Sequence, residues 1–114
     1  MKLRDISEIL DAQVIIGEDF LEYSVTAGCG SDLMSDVMAY VTESVLLLTG
    51  LINLQVIRTA EMMDIKAIVF VRGKLPIDSM VELAKEKEIV LMSTKLTMFA
   101  SCGRLFNAGL QGKA

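Results

Sequence analysis

Four short stretches hold the residue types that could bind or transform a ligand. Gly28, Gly30, Ser31 and Asp32 lie in AGCGSD, while Thr49–Gly50, Arg72–Gly73 and Ser93–Thr94 each follow an apolar run. Hydroxyls, one guanidinium and backbone N–H groups freed at glycine turns are what a phosphate or carboxylate needs, because an anion is held by convergent donors. The same residues also suit tight turns and helix caps, where glycine supplies unusual backbone angles and a hydroxyl accepts an orphan N–H. Both roles are compatible with the sequence.

Other chemistry is poorly supplied. The Thr49–Gly50 pair is not followed by G-K-[ST], so neither the phosphate lysine nor the magnesium hydroxyl of a P-loop is present. The chain has no histidine, which removes a histidine base, and its two cysteines lack metal-ligand spacing. Asp32 and Asp36, four apart, could share a helix face, though a cap plus a solvated residue is the commoner use of such a pair. Cys29 between two glycines could be an activated thiol near a helix N-terminus, but no general base accompanies it. No catalytic set, metal or cofactor is expected.

The elements that must position these residues follow from periodicity. Val45–Leu48 is an unbroken apolar run and Ala67–Val71 a second, both suited to strands covered on two faces. Between them Asn53 is a candidate N-cap, and Val56, Ile57, Ala60 and Met63 fall at helical spacing, which predicts a right-handed β-α-β crossover. Upstream, Leu3, Ile6, Ile9 and Leu10 predict a short amphipathic helix ending near Asp11. Gln13–Ile16 reads as a strand, Gly17–Asp19 as a turn, and the alternation of Leu21, Tyr23 and Val25 as a half-exposed strand. Ala27–Asp32 reads as a glycine loop in which Ser31 or Asp32 caps a helix through Leu33, Val37 and Tyr40.

Downstream, Gly73, Lys74 and Pro76 end the crossover unit. A surface helix is then predicted with Ile77, Met80, Val81 and Ala84 inward and Pro76 in its first turn. Ile89–Met92 reads as the third parallel strand. Ser93 or Thr94 caps a last helix that buries Leu96, Phe99, Ala100, Gly103 and Phe106, with Gly109–Leu110 as its left-handed stop and Gln111–Ala114 frayed. The expectation is one α/β domain over residues 1–114, a sandwich with a mainly parallel sheet built from β-α-β units and helices packed on it.

At 114 residues the chain is one domain by length. Hydrophobic residues are 53%, and counting glycine in place of tyrosine gives about 58% against a usual 45–50%. That excess points to a homo-oligomer interface or to a sheet covered on both faces. Net charge is −4, from 11 basic and 15 acidic residues without a basic cluster, which argues against nucleic acid and anionic membrane as partners. No apolar run approaches the roughly 20 residues that span a bilayer, and MKLRDISEIL has acids where a signal peptide has an apolar core. A cytoplasmic location with reduced thiols is expected.

GCGSDLMSDVMAYV followed by LLLTGL, IRTAEMMDIKAIVFVRGK, IVLMSTK and FASCGRLFNAGL resembles a stand-alone DRTGG domain over nearly the whole chain. That family occurs in phosphotransacetylases and between the CBS domains of some family II pyrophosphatases, with a fold similar to the N-terminal domain of HPr kinase. Its Thr and first Gly fall on Thr49 and Gly50. Leu51 stands where the second glycine would, and Ser31–Asp32 replaces the acidic-basic pair after the glycine loop. The resemblance implies a non-catalytic regulatory or assembly module that homodimerises, with a metabolic enzyme or a hydrogenase-type redox complex as partner. The alternative is a sensor of an adenine nucleotide or other phosphate-bearing anion, bound by Gly28, Gly30, Ser31, Asp32, Thr49, Gly50, Arg72, Gly73, Ser93 and Thr94.

Overall fold

The structure is a computed structural model describing residues 1–41 and 44–112. Six strands form one sheet in the order β1-β5-β4-β3-β2-β6, where β1 is Gln13–Ile16, β2 Ala27–Gly30, β3 Val45–Thr49, β4 Ala67–Phe70, β5 Val90–Ser93 and β6 Gln111–Gly112. Every neighbouring pair is parallel except β1 with β5. The chain therefore steps β2, β3, β4, β5 in one direction across the sheet. The crossover helices α2 (Met34–Tyr40), α3 (Leu54–Met62) and α4 (Asp78–Glu86) lie on one face, and α1 (Leu3–Ile9) and α5 (Met98–Asn107) on the other. The result is the expected α/β fold with a mostly parallel sheet.

Strand alternation divides the core. Leu47, Ile68, Phe70 and Leu91 face α2–α4, while Leu46, Leu48, Val69, Val90 and Met92 face α1 and α5. Apolar runs without alternation mean burial on both sides, and all five residues of β3 are buried. The Asn53 side chain caps α3 by accepting from the Val56 N–H at 3.3 Å. Gly109, at φ 107°, closes α5, with the Leu110 N–H on the Leu105 carbonyl at 3.0 Å and that of Gly109 on Phe106 at 3.0 Å. Asp11, Asp64 and Glu88, with φ of 48°, 56° and 57°, close α1, α3 and α4 in the same left-handed way without a glycine.

Several expectations are corrected. Ala27–Gly30 is not a loop but β2, held between β3 and β6, so Cys29 is buried in the sheet. Residues 21–26 do not form a strand. A 3-10 turn at Glu18–Phe20 shortens the approach, and the segment keeps only one bridge, Ser24 to Lys2. Neither Ser31 nor Asp32 caps α2; its N-cap is Leu33, and Ser31 Oγ instead accepts from the Leu33 N–H at 3.0 Å. Asp32 consequently lies outside the helix that holds Asp36. Ile77 is the exposed N-cap of α4, which leaves Pro76 ahead of the first turn. Thr97, not Ser93 or Thr94, caps α5 by accepting from the Ala100 N–H at 3.1 Å.

The inner stripe of α5 is Met98, Ser101, Cys102 and Leu105, one step round from the expected one. Phe99 is 90% and Phe106 69% exposed. Gln111 and Gly112 are not frayed but pair with Ala27 and Gly28, and the last two residues of the expected frayed tail lie outside the described range.

Candidate functional site

The ten residues singled out in the sequence fall at three places, two at the carboxyl end of the sheet and one under α5 along β2. At the exits of β2 and β3, one oxygen of the Asp32 carboxylate accepts from the Gly50 N–H at 2.7 Å and from the Thr49 hydroxyl at 3.0 Å. Thr49 Oγ1 in turn accepts from the Leu51 N–H at 3.2 Å. Two strand exits are thereby tied through a single side chain, with Thr49 fully buried and Ser31 anchored by its N–H on the Leu48 carbonyl at 3.0 Å. The Arg72 guanidinium lies over Gly50, where a Cβ would come within 2.5 Å of Nη2, so a larger residue there would displace that flexible side chain. The Thr49 and Gly50 donors are thus satisfied within the protein by Asp32.

The second place is the exit of β4 and β5. Arg72 and Gly73 both have left-handed backbones, φ 59° and 69°, and their N–H groups donate to the Leu96 and Thr94 carbonyls at 2.8 Å each. A non-glycine residue in that region is uncommon and is held there by these bonds. Ser93 Oγ donates to the Lys74 carbonyl at 2.6 Å, and Thr94 Oγ1 donates to the Leu10 carbonyl at 2.7 Å while accepting from the Leu96 N–H at 3.3 Å. Gly73, Ser93 and Thr94 line a crevice of about 470 Å³, together with Lys95 and Arg104. Arg104 Nη1 donates to the Ile9 carbonyl at 3.4 Å.

The third place lies at the sheet edge. Gly28 and Gly30 sit under α5, where a Cβ would meet Leu110 Cδ2 at 3.1 Å and, respectively, Cys102 Sγ at 2.9 Å and Met98 Sδ at 3.0 Å. The absent side chains leave an apolar cleft of about 450 Å³, walled by Leu48, Phe99, Cys102, Leu105, Phe106 and Leu110. Burial pushes both the Cys29 and the Cys102 thiols up, the former with added repulsion from Cys102 and Asp36. The sequence reading missed Lys95, Arg104 and the exposed phenylalanines. For the phenylalanines the available signal was that α5 has two competing apolar stripes, 98/101/102/105 and 99/103/106.

No family model and no curated protein matches the chain. Among solved structures it is similar to the CBS and DRTGG domains of the regulatory region of Clostridium perfringens pyrophosphatase, complexed with the activator diadenosine tetraphosphate. The TM-score is 0.75 and the identity 16%, over 91% of this chain and 45% of that one. The chain thus spans less than half the length of that structure, and its fold is DRTGG-like. Among the described residues no helix is long and apolar enough to cross a membrane.

Proposed function

We propose that this chain is a non-catalytic regulatory module that works by association, homodimerising through the outer face of α5 and seating, as a pair, on a metabolic or redox enzyme in the cytoplasm. The observation that carries this reading is the pair Phe99 and Phe106, 90% and 69% exposed beside an apolar cleft without a charged residue in its lining. Apolar surface of that kind is the usual mark of an interface. Knob and hole lie on the same patch, as a two-fold contact between identical surfaces requires. Four phenylalanines, two from each protomer, cover together about 600 Å². That is a third to a half of the roughly 1,200–2,000 Å² buried by a specific dimer, leaving the remainder to the cleft walls and the β6 edge. The regulatory character of the structural neighbour agrees with this role.

Sedimentation velocity across a concentration series tests it. The wild type is expected to sediment as a dimer and the double variant Phe99→Glu, Phe106→Glu as a monomer that melts at the temperature of the dilute wild type, without the concentration dependence that dimerisation gives. A wild type that stays monomeric at the highest concentration would overturn the reading.

The sensor reading, in which an adenine nucleotide or other phosphate-bearing anion binds at the strand exits, is favoured by one separate observation. The β4–β5 crevice carries two cations, Lys95 and Arg104, and the hydroxyl residues Ser93 and Thr94 on its lining.

A further inference from the structure

We propose that the crevice between the exits of β4 and β5 binds a hydroxyl-bearing phosphate monoester of nucleotide size, with Arg104 and Lys95 as its charge partners. The proposal rests on the sensor reading and is independent of association through α5. Its first support is topological. β4 is followed by α4, whose Met80 and Ala84 belong to one core, and β5 by α5, whose Leu105 belongs to the other. The connections leaving two neighbouring parallel strands therefore part to opposite faces of the sheet. In open α/β sheets ligands bind at the carboxyl ends where connections part in this way; here the Arg72 and Gly73 N–H bonds tie the two exits, and the crevice lies beside that tie, with Leu10, Asp11 and Gln13 on its other side.

The second support is the crevice itself. Its volume, about 470 Å³, lies within the roughly 300–1,000 Å³ of small-molecule sites. In a chain of net charge −4, two cations line it against one acid, Asp11. Arg104 is steadied through Nη1 on the Ile9 carbonyl at 3.4 Å, and its remaining N–H groups match the planar demand of a phosphate edge. Ser93 gives its proton to the Lys74 carbonyl at 2.6 Å, so what its oxygen offers a ligand is an acceptor. A sugar hydroxyl satisfies that acceptor and inorganic phosphate at neutral pH does so less well. Leu75 and Leu96 supply apolar wall for the rest of such a ligand.

The site at β2 and β3 makes a useful contrast, because there the donors of Thr49 and Gly50 are already occupied by the Asp32 carboxylate. The Arg72 guanidinium that lies over Gly50 stands beside that carboxylate, whereas the β4–β5 crevice has two cations against one acid.

The test is a titration of the full chain with adenosine monophosphate and with inorganic phosphate, followed by amide NMR shifts and calorimetry. The nucleotide is expected to saturate with shifts at Gly73 and Ser93 to Lys95, and inorganic phosphate to bind more weakly at the same amides. Arg104→Gln and Lys95→Gln, both at exposed side chains, should keep the wild-type spectrum and each weaken the nucleotide about tenfold or more, as loss of a charge-assisted hydrogen bond does. Binding that survives the double variant unchanged, or shifts confined to Asp32 and Gly50, would overturn this crevice while leaving the sensor reading in place. Absence of any shift with millimolar nucleotide would overturn both.

Discussion

The two faces of the sheet receive similar strand side chains yet are covered differently. On one face α2, α3 and α4 each link adjacent parallel strands, so right-handed connection geometry lays them side by side over Leu47, Ile68, Phe70 and Leu91. On the other, α5 leaves β5 and must bring the chain back past β4, β3 and β2 to β6. One helix and the short α1 cannot tile that span. Glycines at 28 and 30 let α5 approach, the cleft opens beside it, and its second apolar stripe is left facing out. Connectivity, more than hydrophobicity, decides which phenylalanine is core and which is surface.

The sharpest way to break that contrast is to truncate one phenylalanine on each face. Phe70 is fully buried among α2–α4, and Phe70→Ala should cost about 3–5 kcal/mol of unfolding free energy in urea. Phe106→Ala should change the stability of the dilute protein by about 0.5 kcal/mol or less. Equal losses at the two positions would mean that α5 is seated differently from the arrangement described.

A smaller effect is expected where the three-helix face is closed at its carboxyl end. Asp32→Ala removes the acceptor of the Gly50 N–H and the Thr49 hydroxyl, both in buried residues, and should cost about 1–3 kcal/mol. Asp32→Asn keeps one oxygen and should recover part of the loss. Thermal melts of the two variants measure the difference, and a neutral Asp32→Ala would show that the strand exits hold without this tie.

The same contrast explains how much could be read beforehand. The β3-α3-β4 unit was legible, down to the Asn53 cap, because apolar runs and helical spacing coincide with burial on two faces. β2 was not, since AGCG has neither β-branched residues nor alternation; it is a strand because β3 and β6 supply its partners and α5 its cover. The sequence reading grouped Asp32 with Thr49 and Gly50 around a ligand; without β2 placed, their direct bonding to one another could not be read. The wrong stripe on α5 has a related cause. Phe99 and Phe106 outweigh Ser101 and Cys102 in hydrophobicity, so any reading by apolarity turns the helix outside in. Ser93 and Thr94 were placed at a strand exit correctly, but their bonds to Lys74 and Leu10 depend on loops from distant parts of the chain. Arg104 reaches the same crevice only because α5 runs back over the sheet.

The smallest expected effect, and the finest probe of the uncovered face, is thiol reactivity. Cys29 belongs to the core under α2–α4, and Cys102 lies half-buried on the wall of the apolar cleft. Burial raises both thiols above their ordinary range. Thiolate is the reactive form, so alkylation of each should be slow at neutral pH and rise only well into the alkaline range. The sign for stability follows from the same shift. The unfolded thiols ionise first as pH rises, so stability is unaffected below their ordinary pKa and falls between that value and the raised folded one. At fixed alkaline pH, Cys102 should alkylate faster than Cys29, because it alone is partly open. If a second copy covers α5, the Cys102 rate should fall as protein concentration rises, while the Cys29 rate should not. In Phe99→Glu the concentration dependence should vanish with the interface. A Cys102 rate independent of concentration in the wild type would leave the cleft uncovered and remove the second copy as its occupant.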